Sequence, residues 1–337
     1  MNRLLKDAKF TAGLALRRPF SCLVQVTNRC NMMCSFCDFW PNVAPKKEEL
    51  TVADYERVAA EMAELGCYCV SIEGGEPFAR TDLVGIVRAF AKAHVPVLFT
   101  NGWYVTEENA RALWDAGLTQ ASVSIDYPDA ERHDAKRRVK GTTARAWRAV
   151  EIFRDTAPRG GERQVNVMTV LMEDNWRSFG ELLAQSKAAG VGHQVTLISV
   201  AGHRRGKNAD DRLPPASAAP DLKALFKANP HLRFFESYFD GMQTFLSGER
   251  MPTCTAGSQS MNIDHIGDVS ACIERIGQPV GNVKKESVRA IVAKLRGEEA
   301  EVKKCQDCWT ACRGFQQALA SGGSPSAFRD LATRMRS

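Results

Sequence analysis

Three cysteines stand close together in the run Cys30-Asn31-Met32-Met33-Cys34-Ser35-Phe36-Cys37, at spacings of four and three, in an otherwise ordinary sequence. Thiolates are the protein ligands of iron-sulfur clusters, and a cube of four irons and four sulfides needs one on each iron to be fully capped. Three thiolates leave one iron open. A small molecule can chelate there, so the spacing points to a cluster that binds and reduces a substrate as well as carrying electrons. The competing chemistry is a structural zinc knuckle, which usually pairs C-x2-C halves with a fourth Cys or His in reach. No His lies within fifty residues of Cys37.

The run matches CxxxCxΦC, with Phe36 at the aromatic position, and in this it resembles the radical S-adenosylmethionine (radical SAM) superfamily. The resemblance implies S-adenosylmethionine on the open iron, held through its amino and carboxylate groups. Further along comes Glu73-Gly74-Gly75-Glu76-Pro77. Two glycines let a backbone approach a ligand closely, and Glu76 can accept hydrogen bonds from an ammonium. The stretch resembles the superfamily's GGE motif, which implies Gly74, Gly75 and Glu76 at the amino end of the cofactor. Thr100-Asn101-Gly102 adds polar groups, with Asn101 a candidate for the cofactor. Ser122, Ser124 and Asp126 alternate so that they face one way. Ser124 to Asp126, His133-Asp134, Arg137 and Gly141 resemble the SIDG...HD..RG..G pattern of the subfamily with a C-terminal auxiliary-cluster domain. That implies Ser124 and Arg137 near the cofactor's carboxylate or ribose. Arg138 departs from the pattern, which has Gly there, and the departure bears on the turn that carries Arg137. Asp126 is placed to contact substrate or to cap a loop; with Glu73 and His203 it is a candidate general base.

A second set, Cys254, Cys272, Cys305, Cys308 and Cys312, follows far downstream. Twelve residues separate Cys254 from Gly267 and four separate Gly267 from Cys272, resembling the C-x9-15-G-x4-C opening of SPASM and twitch domains. The rest is two cysteines short of the full SPASM pattern. Five thiols cannot fill two four-iron clusters, so one auxiliary 4Fe-4S cluster is expected, as in the twitch form. Which of Cys305, Cys308 and Cys312 is left over stays open. A structural zinc on four of the five is the alternative.

These residues must be held by a scaffold. From Cys22 to about Val200 short β-branched runs alternate with longer amphipathic ones, the pattern of repeated strand-helix units and a parallel sheet. Six strands (Cys22 to Val26, Cys69 to Ile72, Val95 to Phe99, Ala121 to Ile125, Val165 to Leu171, His193 to Ser199) and five helices predict a partial (β/α)6 TIM-like barrel. Thr51 to Leu65 reads as a helix with Thr51 as N-cap, Asp54 in its first turn and Gly66 at its end. In such barrels chemistry sits at the C-terminal ends of strands, where every motif above falls. Ser260 to Ile263 and Asp268 to Cys272 read as a hairpin turning at Ile266-Gly267, and Glu286 to Leu295 as a helix. The expected layout is an N-terminal helix (1–20), the barrel (21–200), a linker with helices (201–250), a small α+β auxiliary-cluster domain (251–315) and a tail (316–337).

Hydrophobic content of 44% and charged content of 25% over 337 residues suit a globular chain with a full core, and a net charge of +6 implies no nucleic-acid partner. The basic clusters Arg132 to Lys140 and His203 to Lys207 suit a phosphate or carboxylate partner, or are solvated loop charge. Eleven cysteines without a secretory-type leader point to a reducing, cytoplasmic setting. No apolar run approaches the ~20 residues of a membrane span. Met1 to Phe20 is expected to close one end of the barrel or to touch a membrane surface.

The resemblance implies one-electron reduction of the cofactor's sulfonium, giving methionine and a 5'-deoxyadenosyl radical that takes hydrogen from an unreactive C–H bond. An auxiliary cluster would accept the substrate's electron or relay electrons inward, and a flavodoxin- or ferredoxin-type donor is the expected partner. Since the barrel begins by about Cys22, a small molecule such as a sugar, nucleoside or lipid-linked intermediate is the expected substrate, for dehydrogenation or for C–C or C–X bond formation. The alternatives are a ribosomal-peptide maturase, adenosyl transfer to a lipid-like substrate and, furthest from the motifs, a non-catalytic iron-sulfur carrier.

Overall fold

A computed structural model describes residues 3–16, 18–159, 163–202, 211–320, 327, 329 and 330. After helix α1 (Arg3–Ala15), strands and helices alternate: β1 (Ser21–Thr27), α2 (Val52–Leu65), β2 (Cys69–Gly74), α3 (Leu83–Ala91), β3 (Val95–Thr100), α4 (Glu107–Asp115), β4 (Gln120–Ser124), α5 (Ala130–Arg137), α6 (Thr142–Thr156), β5 (Gln164–Leu171), α7 (Phe179–Ala188) and β6 (Gly192–Leu197). Then come α8 (Ala218–Ala228), α9 (Glu236–Leu246), β7 (Ser260–Ile263), β8 (Asp268–Ser270), β9 (Gly281–Asn282), α10 (Val288–Gly297), α11 (Glu299–Val302) and α12 (Ala311–Ala320).

The strands form one sheet in the order β6-β5-β4-β3-β2-β1-β7-β8-β9. Strands β1 to β6 run parallel, each joined to the next through helices. This is the expected six-stranded partial barrel, with six helices in its crossovers where five were expected: the β4–β5 connection carries both α5 and α6. Helix α2 starts as its sequence dictates. Thr51 Oγ1 accepts from Asp54 N, and the Asp54 carboxylate accepts from Thr51 N, a reciprocal capping box. Its inner face, Tyr55, Val58, Ala59 and Met62, is buried in the main core with Phe90 and Trp114.

The predicted hairpin forms as β7 and β8, and Gly267 (φ 97°) supplies the left-handed turn. It does not stand apart from the barrel. Strand β7 pairs in parallel with β1, Ser21 opposite Ser260 and Val24 opposite Ile263, so the C-terminal segment continues the barrel's own sheet. Gln25 Nε2 donates to Asn262 Oδ1 at 2.6 Å across this pairing, in the buried interior. Among the described residues no helix is long and apolar enough to cross a membrane.

Candidate active site

At the C-terminal ends of the parallel strands lies a cavity of about 310 Å³. Cys30, Cys34 and Cys37 line it, as do Phe36, Gly74, Gly75, Asn101, Ser124 and Arg137. The cysteines come from the loop after β1, the glycines from the end of β2, Asn101 from the end of β3, Ser124 from β4 and Arg137 from the end of α5. Residues spread over more than a hundred positions thus meet because parallel strands deliver their C-terminal loops to one mouth.

The cysteine loop is braced from below. Thr27 Oγ1 donates to Glu49 at 2.5 Å, Arg29 makes a two-point ion pair with the same carboxylate, and Arg80 lies 3.8 Å from it. Gly75 N donates to Thr27 O (2.7 Å) and Glu76 N to Arg29 O (2.9 Å). A Cβ on Gly74 would sit 2.3 Å from Thr27 O, and one on Gly75 2.3 Å from Arg29 O. The close approach that the two glycines permit is therefore to the chain entering Cys30, as well as to the cavity. Within the loop Met32 N donates to Cys30 Sγ (3.4 Å) and Trp40 Nε1 to Cys34 O (3.2 Å).

Burial pushes the Cys30 thiol up to about 12 and the Cys34 thiol up to about 11. Such groups become thiolates only when a bound cation compensates, as metal ligation does. Among the described residues no group of three or more Cys, His, Asp or Glu is drawn together closely enough to hold a metal ion as it stands. Three thiols at the wall of a roomy cavity, Cys34 buried and Cys30 and Cys37 half-buried, fit the ligand set of a three-cysteine cluster.

Glu76 is fully buried and turned back into the protein. Its carboxylate accepts from Thr100 Oγ1 (2.7 Å), Phe78 N (3.1 Å) and Asn101 N (2.8 Å), and it is not among the groups lining the cavity. Burial raises its pKa despite these donors. A carboxylate has about four acceptor sites, so one remains, on Oε2. Glu76 thereby positions Asn101, whose amide donates to Asn31 Oδ1 (2.9 Å) beside Cys30.

Arg137 joins the two halves of the sequence pattern. Its guanidinium lies 5.4 Å from the Phe36 ring centre and binds Asp126 Oδ2 through Nε (3.0 Å) and Nη2 (2.5 Å). Burial works most strongly against its charge, but Asp126, with Cys34 and Cys30 adding to it, raises the guanidinium's pKa above the ordinary value. Asp126 also accepts from Val170 N (2.9 Å), is wholly buried and does not line the cavity. The turn that follows survives the missing glycine. Arg138 itself adopts the left-handed conformation (φ 56°, ψ 29°), and Asp134 clamps the turn by accepting from Gly141 N (2.5 Å) and from the amide and hydroxyl of Thr143 (2.8 and 2.7 Å). Glu73 lines the cavity; His203 lies outside the described residues.

The C-terminal cysteines also converge. Cys254, Cys272, Cys305, Cys308 and Cys312 line a second, smaller cavity of about 60 Å³, and Cys312 lines the large one too. Between them stands an apolar partition of Leu23, Phe39 and Ile273, against which both Cys37 and Cys312 pack. Five thiols around one small space, Cys312 also packing on the dividing wall, fit one auxiliary cluster.

Several lining residues escaped the sequence reading. Gln120 Nε2 donates to Gln194 Oε1 (2.9 Å) and Ser122 Oγ to the same oxygen (3.0 Å), making an amide pair in the cavity floor. Gln120 continues the alternation of Ser122 and Ser124, so the period-two pattern contained it. Phe315 lines the cavity from α12, in a stretch expected partly as tail; its signal is the apolar spacing Cys312, Phe315, Leu319.

Residues 24–185 match the Radical SAM superfamily and residues 254–309 match SPASM, an iron-sulfur cluster-binding domain. An AdoMet-dependent heme synthase of Oleidesulfovibrio alaskensis is 30% identical over 52% of this chain and 44% of its own length. A PqqA peptide cyclase of Methylocella silvestris is 35% identical over 40% of this chain and 36% of its own length. The aligned stretch thus spans under half the length of both curated relatives. Among solved structures, Streptococcus suis SuiB bound to precursor peptide SuiA superposes with a TM-score of 0.65 at 18% identity, over 99% of this chain and 79% of that one.

Proposed function

The chain belongs to the radical SAM superfamily, with a SPASM-type cluster-binding segment, and from that premise we propose that it oxidises an uncharged group of its substrate inside the large cavity. One observation carries this reading: the N-terminal cysteine trio and Cys312 of the C-terminal set line the same chamber. A bound 4Fe-4S cluster and S-adenosylmethionine supply hydrogen-atom abstraction from unactivated carbon, with methionine and 5'-deoxyadenosine as products.

This chain's residues do the rest. Cys30, Cys34 and Cys37 hold the first cluster. The backbone of Gly74 and Gly75 and the side chain of Asn101 receive the cofactor's ammonium, and Glu76, which does not line the cavity, acts by positioning Asn101. Ser124 and the Nη1 edge of Arg137, the part Asp126 leaves open, receive its carboxylate or ribose. Asp126 orients Arg137 and is no general base. Glu73, the carboxylate in the lining, takes the proton that leaves as the substrate is oxidised. Cys254, Cys272, Cys305 and Cys308 hold the auxiliary cluster, and Cys312 stands at the chamber wall. Phe99, Phe234 and Phe315 keep the cavity dry.

The floor of paired amides, Gln120 with Gln194, together with Thr196 and Ser71, suits a neutral hydrogen-bonding group. An amide of a peptide fits it better than a polyanion does. This favours the peptide-modifying reading over the small molecule, in line with what the PqqA cyclase and SuiB are named for. A flavodoxin- or ferredoxin-type protein supplies the reducing electron.

The test is anaerobic reconstitution with dithionite and S-adenosylmethionine, with 5'-deoxyadenosine read by mass spectrometry in the presence of peptide pools and of sugar or nucleoside pools. Turnover stimulated by peptide, with a two-dalton loss in one member and none in a Cys30→Ala variant, supports the reading. A fully loaded protein that makes no 5'-deoxyadenosine removes it.

A further inference from the structure

Helix α12 carries two neighbouring residues at the small cavity of the C-terminal thiols: Cys312 lines both that cavity and the large chamber, while Arg313 lines the small cavity alone. Arg313 is 3% exposed. Its Nη1 donates to Cys308 O (2.9 Å) and its Nη2 to Pro252 O (2.7 Å), two residues before Cys254, and the guanidinium lies 5.9 Å from the Trp309 ring centre. The fork therefore ties together two segments that carry thiols.

Two things about this arginine are left unbalanced. Its Nε–H is buried and meets no acceptor, although an unmade buried hydrogen bond costs about 1–3 kcal/mol. Its charge also forms no ion pair among the described residues, and a buried cation without an anion is costly. Glu274, Arg275 and Asp307 share the cavity lining, but Asp307 is exposed and Glu274 and Arg275 are half-exposed. Arg313 is the most deeply buried charged residue of that lining, where the field is least screened, although one oxygen of Glu274 is buried there too.

A cube of four irons ligated by four thiolates is an anion rich in acceptor sulfurs, and it gains one more negative charge on taking up an electron. We infer that Arg313 is the positioning residue of the auxiliary cluster, donating its Nε–H to a cluster sulfur and raising the cluster's reduction potential with its buried charge. Hydrogen bonds to sulfur and net charge are the levers that set such potentials. The electron balance is simple: the oxidised cluster takes one electron, from the substrate radical in turnover or from dithionite in the test, and the cation stabilises the more negative product. This rests on the reading that the C-terminal thiols bind a cluster.

The test uses the full chain with Cys30, Cys34 and Cys37 all changed to Ala, so that auxiliary iron alone remains. Iron and sulfide are counted, and the midpoint of the reduced cluster's paramagnetic signal is read by potentiometric titration. Arg313→Gln should keep its iron and shift the midpoint to lower potential, with Arg313→Lys, which keeps the charge, shifting less. An unchanged midpoint in iron-replete Arg313→Gln overturns the inference. Should Arg313→Gln lose its iron, Arg313→Lys decides: a lowered midpoint supports the inference, while an unchanged one, or loss of iron there too, reduces Arg313 to a brace. Missing iron in the parent instead sinks the cluster reading before the arginine is touched.

Discussion

Replacing Gly75 by Ala tests whether the backbone contact beneath the cysteine loop sets the geometry of the site. The added Cβ would lie 2.3 Å from Arg29 O and 2.7 Å from the carbonyl carbon and oxygen of Asn28, all main-chain atoms just before Cys30. Ordinary contact requires at least about 3.4 Å, so the two segments must part by about 1 Å, since main chain cannot rotate away as a side chain tip can. Overpacking of this kind costs about 1–3 kcal/mol. Moving apart also weakens the bonds from Gly75 N to Thr27 O and from Glu76 N to Arg29 O, each worth about 1 kcal/mol. The cheapest relief is an outward swing of the loop that carries Cys30. Metal ligands tolerate about 0.2 Å, and a 1 Å misplacement costs about a hundredfold in rate. Gly75→Ala should therefore form 5'-deoxyadenosine about a hundredfold more slowly, and the signal of its reduced N-terminal cluster should not respond to S-adenosylmethionine. Gly277→Ala is the control, because nothing lies within 4 Å of its new Cβ. A Gly75→Ala protein with full iron, a normal cofactor response and a rate within about twofold of the parent would refute the reasoning.

Arg138 is the non-glycine residue with positive φ among the described residues. Relief of about 1–2 kcal/mol of left-handed strain, less about 0.5–1 kcal/mol of glycine entropy, makes Arg138→Gly about 0.5–1 kcal/mol more stable; a lowered urea midpoint contradicts this. Burial pushes the Asp264 carboxyl up to about 6, although Ile266 N and Asp268 N donate to its Oδ1. The native state thus holds this proton more tightly than the unfolded chain, a contribution present below about pH 4 and lost as pH rises through about 6. Asp264→Asn, which keeps the acceptor, should melt higher than the parent at pH 7–8, by up to about 3 kcal/mol, and equally at pH 4; a pH-independent difference rules the linkage out. Finally, Cys312→Ala should retain auxiliary iron and Cys308→Ala should lose it, and the reverse result in iron counts would redraw the ligand set.

Local signals were readable where chemistry and backbone rules coincide. The capping box at Thr51 and Asp54, the glycine turn at Gly267 and the barrel's alternation all follow from short-range physics. The glycines at the end of β2 were readable as a close approach, yet the atoms approached belong to residues 27–29, far off in sequence. Helix α5 was hidden because five of the eight residues of Ala130–Arg137 are charged and its two alanines show no apolar period. The Asp129 cap, which accepts from Arg132 N, and the Asp126–Arg137 pair hold it instead. Asp126 and Glu76 show the general difficulty: a carboxylate's neighbours in sequence do not reveal whether its acceptor sites are already filled from other strands. The β1–β7 pairing is of the same kind, since nothing in a four-residue strand names its partner.

That pairing constrains how the molecule is made. Strand β1 is buried along its whole length, and one of its hydrogen-bonding edges belongs to β7, which leaves the ribosome more than two hundred residues later; Gln25 and Asn262 alone are separated by 237 positions. Until then an apolar edge of the first strand is open to mispairing. Closure of so distant a contact is slow, so that edge is completed only after most of the chain has been made.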